Sequence, residues 1–286
     1  MKQTTLARIS LLPGTLWLLA LFVAPWAVVV AVSLATTNIL GLPVYGANFS
    51  NYSQILQPDI LGIFGRSLEY AALATVVCAV LGYATAYTVA RYGGRYRHLI
   101  ILLVLVPWLV DYLVRIYSWI QIVGQGGVLN SLVHALGADV NVNLLGHTYT
   151  VVGGLVYSYL PYMVLAVYVS VEQLDVSLIE AGRDLYGSAA STFAHVTLPC
   201  TLPGLLSGSM LVFLPAIGDF ATAQLLGSPN QYMVGNIIAG DASTPGGLPI
   251  SAGLTVLLIA VLGIAALAYM AAARPLVRKG VMDSAG

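Results

Sequence analysis

The chain has 286 residues and no net charge, with 11 Lys and Arg against 11 Asp and Glu. Hydrophobic residues make up 59% and charged residues only 8%, with a mean hydropathy of +0.89, whereas soluble globular chains carry about 25% charged residues. Such a chain has no means of wetting a whole surface, so a soluble globular fold is excluded and lipid must cover much of it. The neutral balance gives no reason to expect nucleic acid or another polyanion as partner.

Six apolar stretches approach the ~20 residues that a helix needs to cross the hydrocarbon. The first, 11–34, follows Lys2 and Arg8. It is longer than the apolar region of a signal peptide and is punctuated by Pro13 and Pro25, so it is expected to be an uncleaved span. The second, 66–90, is free of charge between Glu69 and Arg91, and the third, 99–123, contains Asp111 and Arg115. The fourth, 148–171, lies between His147 and Glu172; the fifth, 202–224, is interrupted by Asp219; the sixth, 250–273, ends at Arg274. The segments 35–65, 124–147 and 225–249 carry turn residues such as Gly124, Gly126, Gly127, Pro229, Pro245 and Pro249. None is long enough for a separate domain.

Basic residues set the orientation. With the N-terminus inside, the inner segments hold nine of the 11 (Lys2, Arg8, Arg91, Arg95, Arg97, Arg183, Arg274, Arg278 and Lys279), and the outer segments hold only Arg66. The positive-inside rule then places both termini and the loop 173–203 in the cytoplasm.

That loop is unusually polar for a chain of this kind. Asp175 or Ser177 is expected to cap a helix, with Glu180 three residues after Ser177 in the spacing of a capping box. Leu178, Ala181 and Leu185 share one face, with Arg183 and Asp184 off that stripe. Gly187 and Ser188 break the helix, and Ser188 or Ser191 starts a second one with Phe193 and Val196 on its apolar side. Pro199 and Pro203 are expected to stop it and launch the next span. The product is an elbow, residues 175–199, with apolar knobs exposed. That is the signature of a partner surface; a helix lying on lipid would carry more Lys and Arg on its polar face.

Glu180-Ala181-Gly182, then Gly187, then Leu198-Pro199, resembles the EAA motif of membrane subunits of bacterial ABC importers. The third position is Gly182 rather than alanine, and Tyr186 holds the expected glycine position with Gly187 one step later. The resemblance covers nearly the whole chain. Pro107, Arg115 and Trp119, the run Gly127-Val128-Leu129-Asn130, Leu160-Pro161-Tyr162, and Phe213 through Phe220 with Leu226-Gly227 are most similar to the first permease of the spermidine/putrescine branch. It implies an all-α membrane protein, a six-span type I importer permease bundle in the bacterial cytoplasmic (inner) membrane. It implies that Glu180, Ala181, Gly182, Arg183, Asp184, Leu185, Gly187, Phe193, Leu198 and Pro199 dock into an ATPase. The implied partners are a second permease, two copies of that ATPase, and an extracytoplasmic substrate-binding protein. The implied function is polyamine import; relatives in the branch carry iron, thiamine, opines or phosphonates.

The residues also bound the chemistry. A P-loop needs G-x-x-x-x-G-K-[ST], and the only lysines are Lys2 and Lys279, so no cofactor is expected on this chain and ATP and Mg belong to the partner. His98, His134, His147 and His195 are far apart, and Cys78 and Cys200 fall in different segments, so neither a metal site nor a disulfide framework is expected. No catalytic constellation is evident. A secondary transporter would show internal repeats, and none is visible. An ionised group inside a membrane costs about 2.5–3.5 kcal/mol on insertion scales. Asp111 and Arg115, four residues apart, are expected to pair on one helix or to lie on the pathway. Asp219, Phe220, Glu69, Trp108 and Tyr159 are the further candidates for the translocation path, the acids by charge complementarity to a cation and the rings by cation–π contact. Tyr157 and Tyr162 offer similar faces.

Overall fold

The structure is a computed structural model that describes residues 2–137 and 143–283. Residues 138–142, and the side chains of Lys2, Arg8, Arg274, Arg278 and Lys279, lie outside the described residues. The helices are α1 (Lys2–Ser33), α2 (Ser50–Ile55), α3 (Pro58–Tyr92), α4 (Arg97–Leu105), α5 (Tyr112–Val123), α6 (Val128–Ala135) and α7 (Thr148–Glu172). They continue with α8 (Val176–Tyr186), α9 (Ala189–Thr192), α10 (Leu198–Ile217), α11 (Ala221–Leu226), α12 (Val234–Ala242) and α13 (Leu248–Asp283). Two-residue strands β1 (Thr36–Thr37) and β2 (Pro43–Val44) pair antiparallel. Five helical stretches are long and apolar enough to cross a membrane, and the bent pair Gly94–Leu109 and Tyr112–Ala135 brings the number up to six.

The chain divides into two compact units. The first holds residues up to Leu61 and Ile237–Val261. Here the open end of α1 is closed by a side chain: Asn51 Nδ2 donates to the carbonyls of Ser33 and Ala35, both at 2.9 Å. This satisfies groups that a helix C-terminus leaves unpaired. Tyr52 and Ser33 hydroxyls meet at 2.8 Å beside it. Asn38 Oδ1 accepts from the N–H groups of Leu40 and Leu42 and shapes the β1–β2 turn. Residues of α1 such as Trp17 and Phe22 are exposed apolar surface, as a span facing lipid or a membrane partner requires.

The second unit, Gly62–Asn236 with the end of α13, is built on α3, α7 and α10. Lipid is as apolar as leucine, so these helices gain nothing by hiding from it and associate through close packing and hydrogen bonds. Small residues make the approach possible. A Cβ on Gly204 would lie 2.2 Å from Ser170 Oγ, and one on Gly208 2.7 Å from Met163 Sδ, so the Gly204-x-x-x-Gly208 stripe of α10 lies directly on α7. Gly82 of α3 meets Met163 from the other side. The buried core there includes Tyr83, Met163, Val164, Val167, Val171 and Val212. Polar ties complete it: Tyr83 to Thr201 at 2.7 Å, Tyr70 to Thr148 at 2.9 Å, and Arg91 donating to the Leu174 carbonyl at 3.1 Å. Arg97 and Glu172 pair at 3.2 Å.

The third apolar stretch, expected as one helix over 99–123, is instead broken. α4 passes into a short 3₁₀ turn at Val106–Leu109, Val110 and Asp111 are extended, and α5 leaves at 89°. Pro107 removes a backbone donor, and Asp111 then starts a new helix by accepting the N–H groups of Leu113 (2.9 Å) and Val114 (3.3 Å). This is the N-cap role of aspartate. The expected Asp111–Arg115 pair is not formed for the same reason: the Asp111 side chain turns back on its own helix end. Among the described residues the only ion pair is Arg97–Glu172.

The prolines at the end of the elbow do not stop the chain either. Ala189–Ile217 runs as one helical span. Between α9 and α10 lies a π-helical turn, Phe193–Thr197, in which Leu198 N–H bonds the Phe193 carbonyl. A proline ring inside an α-helix clashes with the carbonyl four residues back; the wider π turn makes room for Pro199 without ending the helix.

Candidate functional site

The elbow is α8, a glycine turn and α9. Asp175 caps α8, its Oδ1 accepting the Ser177 N–H at 2.9 Å; that bond holds its carboxyl below the usual aspartate range. Gly187 closes α8 in the left-handed region at φ +71°, a conformation that costs a residue with a Cβ. Ser188 caps α9 by accepting the Ser191 N–H. Of the alternatives in the sequence, Asp175 and Ser188 are therefore the caps. Ile179 and Gly182 form the inner face of α8; a Cβ on Gly182 would lie 2.8 Å from Val196 Cγ2 and 3.0 Å from Thr192 Cγ2. Glycine at this place lets α8 rest directly on the following helix. Glu180, Ala181, Arg183, Asp184 and Leu185 all point outward, with Leu185 75% exposed. Phe193 faces inward and meets the rings of Tyr83 (5.6 Å) and Tyr87 (5.8 Å) edge-on, which fastens the elbow to α3. Leu198 and Pro199 are half-buried at the root of α10.

At the far end of α10 a cavity of about 470 Å³ opens. Trp108, Arg115, Tyr159, Asp219 and Phe220 line it, and so do Tyr112, Ser158 and Tyr162. Asp219 lies in the break between α10 and α11 and is 7% exposed. Its Oδ2 accepts from the hydroxyls of Tyr112 (2.5 Å), Tyr159 (3.0 Å) and Thr222 (2.9 Å), and its Oδ1 from the Thr222 N–H (3.0 Å). One carboxylate thus ties α5, α7, α10 and α11 together. Trp108 and Tyr162 meet edge-on at 5.3 Å, and Tyr159 stacks loosely on Tyr162 at 6.3 Å. Arg115 is 8% exposed with its guanidinium 5.6 Å from the centre of the Tyr112 ring.

Glu69 and Asp111, the other two path candidates, are exposed and do not line this cavity. Tyr157 instead meets Trp119 at 5.7 Å. Sequence reasoning missed Tyr112, Ser158 and Thr222. Thr222 carried a signal: an aspartate three residues ahead of a helical N–H is a cap spacing, which marks Asp219 as the start of α11.

The cavity brings together aromatic faces, hydroxyl oxygens, one carboxylate and one guanidinium, so it offers groups that can meet a cation through both ring faces and charge. Residues 78–279 match the model of a family described as binding-protein-dependent transport system inner membrane component. The chain belongs to this family. The permease is 34% identical over 247 residues to the spermidine/putrescine transport system permease protein PotB of Haemophilus influenzae, covering 85% of this chain and 86% of that protein. To PotB of Escherichia coli it is 33% identical over 264 residues, covering 92% and 96%. Among solved structures, the fold of the permease is similar to a chain of a bacterial alginate ABC transporter in complex with an alginate-bound periplasmic protein (TM-score 0.78, 14% identity, 96% of both chains). It also resembles a chain of the MetNI methionine ABC transporter (TM-score 0.54, 15% identity, 77% of this chain and 99% of that one). The permease is thus a multi-pass membrane protein with the fold of an ABC transporter permease.

Proposed function

We propose that this permease forms half of the translocation path of an ATP-driven importer for polyamines of the spermidine/putrescine class. The observation that carries the reading is the cavity at the end of α10, where Asp219 and the rings of Trp108, Tyr159, Tyr162 and Phe220 converge. A protonated amine is stabilised by that combination. The identity to polyamine permeases over most of both chains supports the same substrate class.

In this reading the permease is not itself an enzyme and binds no cofactor. ATP and Mg are held by two copies of an ATPase subunit, one gripping residues 175–199 here and the other gripping the matching elbow of a second, related permease. The chain lies in the bacterial cytoplasmic membrane with both termini inside, and an external binding protein delivers the substrate. ATPase closure pushes the elbow, and α9, the π turn and α10 carry the push some 40 Å to the cavity, by the 1.5 Å helical rise per residue. The test is uptake of labelled putrescine and spermidine into cells lacking their own polyamine importers, with and without the assembled system. Uptake that unlabelled polyamines compete away supports the reading; competition by iron, thiamine, an opine or a phosphonate instead would replace it.

A further inference from the structure

Arg115 is a cation in a cavity whose proposed cargo is also cationic. It is 8% exposed, its Nε is buried without a hydrogen-bond partner, and no carboxylate of the described residues lies within ion-pair distance of it. What it does touch is informative. Its guanidinium faces the ring of Tyr112, whose hydroxyl donates to Asp219. One tyrosine therefore separates the two charged groups of the cavity, and the charged side chains of the lining sum to zero.

A structural ion pair would place the two charges in contact, and a high-affinity amine site would omit the arginine. The cavity does neither. Asp219 already accepts four hydrogen bonds from Tyr112, Tyr159 and Thr222, so it acts on an incoming ammonium through its field and through the tyrosines it holds. Arg115, on the other side of the Tyr112 ring, opposes that field. A path must attract its cargo enough to admit it and weakly enough to release it. An unopposed carboxylate as buried as Asp219 is poorly screened and would hold a di- or trication too tightly.

We infer that Arg115 is the residue that sets this balance: a fixed cation that holds down the affinity for polycations and thereby permits release. The inference rests on the cavity being the amine path proposed above. Its signature is a dependence on substrate charge that a packing role would not produce.

The test uses the importer assembled with its companion subunits in lipid nanodiscs, without the external binding protein. Binding of labelled spermidine, putrescine and butylamine is compared, which span three charges, two and one. Arg115→Gln and Arg115→Met are expected to tighten spermidine by roughly tenfold, on the scale of one removed unit charge nearby, putrescine less, and butylamine least. Spermidine uptake per ATPase cycle should fall in step. Arg115→Lys, which supplies an ammonium in place of the planar guanidinium over Tyr112, should lie closer to the parent than either neutral variant.

A change of equal size for all three amines, or none, overturns the inference, because neither outcome tracks charge. So does failure of both neutral variants to assemble, which would make Arg115 a structural ion. If no amine binds the parent or the variants while cells still import polyamines, the inference falls and the substrate class stands. If cells import no polyamine at all, it is the substrate class that falls.

Discussion

The Tyr112 hydroxyl donates to Asp219 Oδ2 at 2.5 Å. It joins the first turn of α5 to the break after α10, two segments separated by 107 positions in the chain. Tyr159 of α7 donates to the same oxygen. The carboxylate is thus a joint as well as a charge, and its replacement separates the two roles. In Asp219→Asn, an amide N–H₂ replaces one oxygen. If it takes the Oδ2 position it faces hydroxyl donors, and a buried donor left unpaired costs about 1–3 kcal/mol. The expected outcome is loss of polyamine uptake greater than the loss of assembled complex, measured by uptake beside co-purification of the companion subunits. Tyr159→Phe removes one donor and leaves the others, so its effect should be smaller, about 0.5–1.5 kcal/mol. Unchanged uptake in Asp219→Asn would remove the residue from the pathway.

Glu180 is exposed on the outer face of α8, away from the buried side formed by Ile179 and Gly182. Glu180→Lys should therefore leave membrane insertion intact while abolishing ATPase association or transport. Pull-down of the ATPase and uptake are the measurements. Normal transport in this variant would argue strongly against the elbow as a lever.

The parts of the molecule that were readable in the sequence are those fixed by neighbours in the chain. Apolar stretches, caps narrowed to Asp175 or Ser177 and to Ser188 or Ser191, and the helix break at Gly187 are local devices; the choice of Asp175 and Ser188 came from the structure. The break at Val110–Asp111 was not readable as such, because an acid in an apolar run looks like a buried charge in search of a cation. Only the extended backbone beside Pro107 shows that its partner is the helix end itself. Similarly, Pro199 and Pro203 read as a stop, and the π turn that absorbs Pro199 depends on backbone register rather than composition. At the cavity, Asp219, Arg115, Trp108, Tyr159 and Phe220 stood out by type. Tyr112 and Ser158 did not, since nothing local distinguishes them from the other 16 tyrosines or from the serines that pack between helices. Glu69 drew notice for its charge, yet it is exposed on α3 and does not line that space.

Helix α10 lies against α7 through Gly204 and Gly208, and the space is fully used. Gly208→Leu should force the helices apart. Overpacking of this kind costs about 1–3 kcal/mol or more, and the expected result is a lower melting temperature of the purified complex, with uptake lost. Gly153→Ala is the control for adding a side chain to a helical glycine in open space: a Cβ there meets nothing within 4 Å. Equal melting temperatures for the two variants would contradict the packing described.

Gly182 gives a sharper test of the elbow. Its missing side chain admits Val196 and Thr192, so Gly182→Val should lift α8 off the following helix and weaken ATPase association without disturbing the spans. Val196→Ala removes the nearest methyl and should restore part of the loss. Rescue of this kind reports contact between the two positions, which a general loss of stability would not give. Association unaffected by Gly182→Val would mean that α8 does not need this seat.

The π turn between α9 and α10 holds one residue more than an α-helical turn would. Deleting the exposed Ala194 would convert it towards regular α-helix and close the widened turn through which the elbow joins α10. It would also return Pro199 to a helix with no room for its ring. The glycine stripe of α10 and the Asp219 joint lie beyond the deletion and should persist. The expected outcome is a chain that inserts and still joins the second permease, but whose ATPase either fails to bind or cycles without uptake. The measurements are ATPase activity and labelled spermidine uptake on the same preparation. Coupling at the parent ratio would show that the widened turn does not matter to how force reaches the cavity.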